Sequence, residues 1–297
     1  MATARKISEV SAVLLVPAAR DLQELDLFWR GLEWSGVPEW CRVVYVINNS
    51  EGDNASPLVI AAVKKHAKES DDVCVYEGHR DPGCNGAGVA LYEAIKGHPA
   101  DVYIKVDSDM FPVVKTWLAQ LVVGALVSSN GLCTGMTNVN GHCALPFCHD
   151  IGVPWSMVAT AESANGHGLL GRFTYGDVEP QARIWQVTMA HWDRVVSWHR
   201  RPHFAGEVPL GEIYLMAANN YAFTKEWFDR RDDRAAWEVV GEDERVINTA
   251  VGGDTGYVYW DQGALMLHWG YTIARPALQP MWHTLKDKLG QLWGEEL

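Results

Sequence analysis

The chain of 297 residues predicts an α/β fold, with a mostly parallel central sheet flanked by helices and a second lobe fused to it. Three observations point there. β-branched runs alternate with helix-spaced segments over residues 11–110, clusters of turn formers separate them, and the alternation dissolves after residue 128.

Residues 11–16 form the first apolar run, ended by Pro17, and residues 20–32 carry Leu22, Leu25, Leu27 and Phe28 at mainly helical spacing. A second strand follows at 42–47, stopped by the turn formers of 48–54. Residues 57–70 predict a helix, 73–76 a short strand, 78–88 a glycine-bearing loop and 89–96 a helix closed by Gly97. Val102-Tyr103-Ile104-Lys105-Val106 is the next strand, and a helix through Trp117, Leu118 and Leu121 follows Phe111-Pro112. A Gly/Asn/Ser/Thr-rich stretch covers 128–141, and no period is legible from there to residue 209. Regularity returns at 212–223 and at Ala264-Leu265-Met266-Leu267, which runs into His268. Met281, Leu285, Leu289 and Leu292 then predict a helix docked on the core.

Hydrophobic residues make up 48% and charged residues 21%, enough apolar material for a large core without staples. No segment approaches the roughly 18 uninterrupted apolar residues of a membrane span, and the first residues lack a signal-peptide layout. A cytoplasmic protein with no membrane span is the expectation. Lys plus Arg at 25 against Asp plus Glu at 37 gives a net charge of −12, which disfavours broad binding to nucleic acid or anionic lipid and leaves room for a local basic groove. The six cysteines point to reduced thiols. Cys133, His142, Cys143, Cys148 and His149 lack the tight pairs of a zinc site, so packed thiols are expected there.

Asp107-Ser108-Asp109 stands at the end of the 102–106 strand. Residues two apart on an extended chain share a face, so the two carboxylates can serve one cation, and open α/β sheets bind ligands beyond the carboxyl ends of their strands.

With the blocks around it, this motif resembles the GT-A fold glycosyltransferases, in particular the family 2 type. The blocks are Val13-Leu14-Leu15-Val16-Pro17, then Val46-Ile47-Asn48-Asn49-Ser50, Asn85-Gly86-Ala87-Gly88-Val89-Ala90, Asp107-Ser108-Asp109 with Pro112 behind it, and the segment 217–226 containing Asn219 and Asn220. The resemblance implies a GT-A, Rossmann-like domain with a nucleotide-sugar-binding half over 1–112, an acceptor-binding and catalytic half over 113–275, and a C-terminal helix over 276–297. It implies a metal-dependent, inverting transfer of a sugar from a nucleotide sugar, a UDP-sugar favoured, to an acceptor hydroxyl. Pro17, Ala18, Asn48, Asn49, Arg80, Asn85, Gly86, Asp107 and Ser108 map to the donor, and Asp107, Asp109 and His268 to Mn2+ or Mg2+. The imidazole favours Mn2+. Asn48 and Asn49 stand where family members often have Asp, which leaves the base open. The general base is Asp254 or Asp243, the first better spaced from Gly263 and His268, the second matching the Glu-Asp letters of the family. Gly83, Gly86 and Gly88 suit a phosphate cradle or a tight turn.

Trp185, Trp192 and Trp198, mixed with His191, Arg194, His199, Arg200 and Arg201, could embrace a phosphorylated or nucleic-acid acceptor, such as a hydroxymethylated base in DNA. Two further readings remain. A sugar-phosphate nucleotidyltransferase would share the sheet and carboxylates, but its first loop carries glycine where this chain has Pro17-Ala18-Ala19-Arg20. A non-catalytic carbohydrate-binding protein would keep the tryptophans without needing both Asp109 and His268.

Overall fold

Period-two alternation fills both faces of a central sheet. In the computed structural model, which describes residues 7–18, 22–50, 56–78, 86–139, 143–158, 178–209, 220–239, 256–270 and 275–294, Leu14 and Val16 of β1 (Ala12–Pro17) enter one core and Val13 and Leu15 the other. Tyr45 and Ile47 of β2 (Cys41–Asn48) likewise oppose Val44 and Val46. Continuous apolar runs are what strands covered on both sides require.

Helix α1 (Leu22–Ser35) follows β1, α2 (Pro57–His66) links β2 to β3 (Asp72–Tyr76), and α3 (Gly86–Gly97) leads to β4 (Val102–Val106). β3, β2, β1 and β4 lie side by side and parallel, as the strand-helix alternation predicts. α2 is shorter than expected, because Asp71 accepts the Lys68 N–H at 2.9 Å and turns the chain at 67–71.

The second half begins with β5 (Met110–Pro112), α4 (Trp117–Val127) and β6 (Leu132–Thr137). Helices α5 (Ala144–Asp150), α6 (Val178–Ala190) and α7 (Trp192–Val196) come next, then β7 (Ala205–Pro209) and β8 (Asn220–Thr224). Helices α8 (Lys225–Asp229) and α9 (Arg234–Val239) precede the long β9 (Tyr257–His268), and α10 (Arg275–Leu278) and α11 (Trp282–Trp293) close the chain. β6 occupies part of the stretch in which no element was legible. Its six residues are all buried, so the strand has no exposed face to give it a period.

The sheet order is β3-β2-β1-β4-β8-β6-β9-β5, with β7 on β9. β8 is antiparallel to both β4 and β6, and β9 runs parallel to β6, so the carboxyl ends of β1, β2, β4, β6 and β9 share one rim. Only three residues, 107–109, join β4 to β5 although three strands separate them in the sheet. Four flat strand spacings would need about 19 Å, and four extended residues reach only about 14 Å. The sheet must therefore curl at that rim, and Asp107-Ser108-Asp109 crosses the concave side.

Helices α3, α8 and α9 contribute to one face and α1, α4 and α11 to the other. α11 carries Leu285 and Leu289 inward, as its spacing predicts, and ends at Gly294 in a left-handed conformation (φ 76°). Gly31 of α1 lets this helix close: a Cβ there would lie 2.7 Å from the Pro112 ring and 3.1 Å from Trp293. No described helix is long and apolar enough to cross a membrane. The described cysteines are free thiols, and burial pushes those of Cys41, Cys143 and Cys148 up to about 12.

Candidate active site

At the curled rim the chain turns from β4 into β5, with Met110 N–H donating to the Asp107 carbonyl at 3.1 Å. The β5 and β9 ladder begins with Met110 opposite His268, and Trp269 N–H donates to the Asp109 carbonyl at 3.0 Å. Backbone pairing thus fixes the two side chains beside each other. His268 Nε2 lies 3.4 Å from Asp109 Oδ2, and both residues are buried, 2% and 5% exposed. Asn138, just past β6, accepts the His268 N–H at 2.9 Å and ties a third strand end to the pair.

A buried carboxylate needs compensation. Burial pushes the Asp109 carboxyl up, but His268 and Arg275 outweigh it and hold it at about 2. The Arg275 Nη2 is 2.8 Å from Asp109 Oδ2, and its Nη1 is 3.0 Å from Oε2 of the buried Glu24 on α1. Asp107 has a different partner. Its Oδ1 lies 2.7 Å from Nζ of Lys105, a buried lysine one pleat back on β4 whose ammonium also stands 5.7 Å from the Tyr221 ring centre. Ser108, between the acids, is fully buried.

The structure therefore joins Asp109 to His268 and directs Asp107 toward Lys105. Among the described residues no three His, Cys, Asp or Glu side chains converge as a metal cluster. One carboxylate oxygen and one imidazole nitrogen nevertheless fit a divalent ion that takes its remaining ligands from substrate phosphates and water.

The described residues that the resemblance assigns to the donor lie along the same rim. Ala18 extends the β1 and β2 ladder through its N–H to the Val46 carbonyl at 2.9 Å, beside Pro17. Asn48 Oδ1 accepts both the Ser50 N–H (3.1 Å) and the Ser50 hydroxyl (2.7 Å), which locks the turn after β2, and Asn49 N–H reaches the Tyr76 carbonyl of β3 at 2.8 Å. Gly86 packs directly on this turn, since a Cβ would come within 2.3 Å of Ser50 Oγ and 2.6 Å of Asn48 Oδ1. At Gly88 the close neighbour is the Trp237 carbonyl, 2.6 Å from a built Cβ. Both glycines have a packing reason, which favours the turn reading over the cradle. Asn220 stands opposite Val106 at the start of β8, fully buried. Arg80, Gly83, Asn85, Asp243 and Asp254 lie outside the described residues.

One expectation fails. Trp185 and Trp198 are fully buried and Trp192 is 8% exposed, so these indoles are core and not a stacking platform. Arg201 is drawn in as well, bonded to the carbonyls of Asp150 and Arg194 over the Trp198 ring. Sequence reasoning missed Lys105, Glu24, Asn138 and Arg275. A lysine inside an apolar strand and a glutamate beside Leu25 on a buried helix face were legible signals for the first two.

No protein-family model matches the chain, and no curated protein matches it. Among solved structures the chain is similar to a mannosyltransferase, PcManGT from Pyrobaculum calidifontis, in complex with GDP-Man and Mn2+. The identity is 11%, the TM-score 0.48, and 96% of this chain and 72% of that one are covered. It is also similar to residues 1–349 of S. aureus TarS, with 14% identity, a TM-score of 0.43 and coverage of 85% and 60%. A third is glucosyl-3-phosphoglycerate synthase from Mycobacterium tuberculosis in complex with Mn2+, uridine diphosphate and phosphoglyceric acid. There the identity is 12%, the TM-score 0.41, and the coverage 97% and 80%.

Proposed function

We propose that this chain is a metal-dependent, inverting glycosyltransferase that moves a sugar from a nucleotide sugar, a UDP-sugar favoured, to an acceptor hydroxyl. The observation that carries the reading is the meeting of Asp109 and His268, remote in sequence, at the carboxyl rim of a sheet whose neighbouring strand ends offer Pro17, Ala18, Asn48 and Asn49. Asp109 and His268 would hold Mn2+ or Mg2+, and the ion would supply positive charge against the departing diphosphate. Lys105 fixes Asp107 beside the ribose side of the site. Asn48, through Ser50, shapes the turn that receives the base. Asp254 or Asp243 removes the proton of the acceptor hydroxyl as the anomeric carbon is attacked from the opposite face.

A thermal-shift screen of nucleotide sugars with Mn2+ tests the donor class, because a ligand of the native state raises the melting temperature by mass action. The expected result is a rise with one nucleotide family that needs the metal. Full transfer in excess chelator would overturn the metal dependence. Asp254→Asn with donor binding intact and transfer lost assigns the base; normal transfer in that variant moves the role to Asp243.

A further inference from the structure

Arg275 and a divalent ion want the same atom. Its Nη2 sits 2.8 Å from Asp109 Oδ2, the oxygen that also faces His268 Nε2 at 3.4 Å. An ion that takes the Oδ2 lone pair now facing Arg275 must displace the guanidinium, so at that lone pair whichever is seated excludes the other. The second arm of Arg275 decides what happens to the loser. Glu24, only 3% exposed and 3.0 Å from Nη1, is a buried carboxylate on α1 that can keep the guanidinium after it leaves Asp109. Without such a partner, releasing Arg275, whose side chain is 26% exposed, would leave a partly buried guanidinium unpaired.

We propose, on the reading of Asp109 and His268 as metal ligands, that Arg275 is a built-in competitor for the ion, with Glu24 as its parking carboxylate. Arg275 holds Asp109 ionised and correctly aimed, and the ion gains the site only by displacing it. Its distance from Asp109 therefore sets the ion affinity of the chain before any nucleotide arrives. Glu24 lowers the cost of the exchange, so the two residues act in opposite directions on one binding constant.

Free Mn2+ measured by electron paramagnetic resonance, during titration of the full chain without nucleotide, reads this constant directly. Arg275→Gln should bind Mn2+ about tenfold more tightly than the unsubstituted chain, the size expected for removing one charge-assisted bond. Glu24→Gln should bind several-fold more weakly, and Asp109→Asn should lose the site. A variant damaged in folding would weaken binding at either position, so the opposite signs separate the mechanism from structural harm. Equal or weaker binding in Arg275→Gln overturns the competition while leaving the metal site standing, as does equal or tighter binding in Glu24→Gln. No Mn2+ binding in any variant, Arg275→Gln included, overturns the metal site itself and the competition with it.

Discussion

Lys105 Nζ lies 2.7 Å from Asp107 Oδ1, and the lysine is buried while a quarter of the aspartate side chain reaches solvent. A buried ammonium with a partly exposed partner stabilises little by itself, but it aims the carboxylate. Lys105→Met, which matches the apolar strand around it, should leave the melting temperature unchanged or higher. Donor KM should rise about tenfold, the worth of a charge-assisted hydrogen bond. An unaltered donor KM would remove Lys105 from the site.

Loss of either member of the Asp109 and His268 pair should be far more damaging. Asp109→Asn and His268→Ala are each expected to lower transfer at least about 100-fold, because on the proposed function each removes a direct ligand to the charge that meets the diphosphate. Added Mn2+ should not restore Asp109→Asn. Wild-type rates in His268→Ala would show that the imidazole is a strand-end residue and nothing more.

Gly86→Ala tests the turn after β2. The new methyl would meet Ser50 Oγ at 2.3 Å and Asn48 Oδ1 at 2.6 Å, so the turn or α3 must shift. Overpacking of this kind costs about 1–3 kcal/mol. A lower midpoint in chemical denaturation, together with weaker nucleotide binding, is the expected outcome. A midpoint equal to that of the parent would mean that the turn gives way freely.

Asp261 on β9 supplies a pH signature away from the Asp109 and His268 pair. Burial pushes its carboxyl above the ordinary range, against hydrogen bonds from the Gly263 and Ala264 N–H groups. A raised folded value means that its stability contribution is fully present below the unfolded pKa of about 3.9 and is lost as pH rises through the folded value. Asp261→Asn should therefore melt close to the parent near pH 4 and above it at neutral pH. A difference that stays constant across the range would contradict the assignment.

Much of the first half was legible because strand and helix there follow the textures that the sheet imposes. β1, β2 and β4 announce themselves as apolar runs, and the carboxyl end of β4 hands the reader Asp107-Ser108-Asp109. β6 and β9 were harder. β6 is buried on both faces, and the register between it and β9 slips between Thr134 and Met136, so only the last third of β9 read as a strand. Within the site, Asp109 and His268 could be linked by motif order. Arg275 and Glu24 could not, since a lone charge has no spacing to a partner that only the tertiary fold brings near. The tryptophans misled for the opposite reason: an indole beside arginines has the same letters whether it faces solvent or, like Trp198, the core.

Four contacts among the described residues tie α1 to the segment 275–294: Glu24 to Arg275, Gln23 to Trp282 at 3.1 Å, Trp34 to Trp293 with ring centres 6.3 Å apart, and Gly31 to Trp293, whose indole N–H also holds the Pro112 carbonyl at 3.2 Å. On the ribosome, α1 emerges before β2 and this segment only after every described strand of the sheet. The nascent protein can assemble β1 to β4 while translation continues, yet the brace behind β5 follows them all. Closure of the rim at Asp107-Ser108-Asp109 is thereby deferred until residues 275–293 have been made, and a product that stalls before them would carry the motif without the scaffold that aims it.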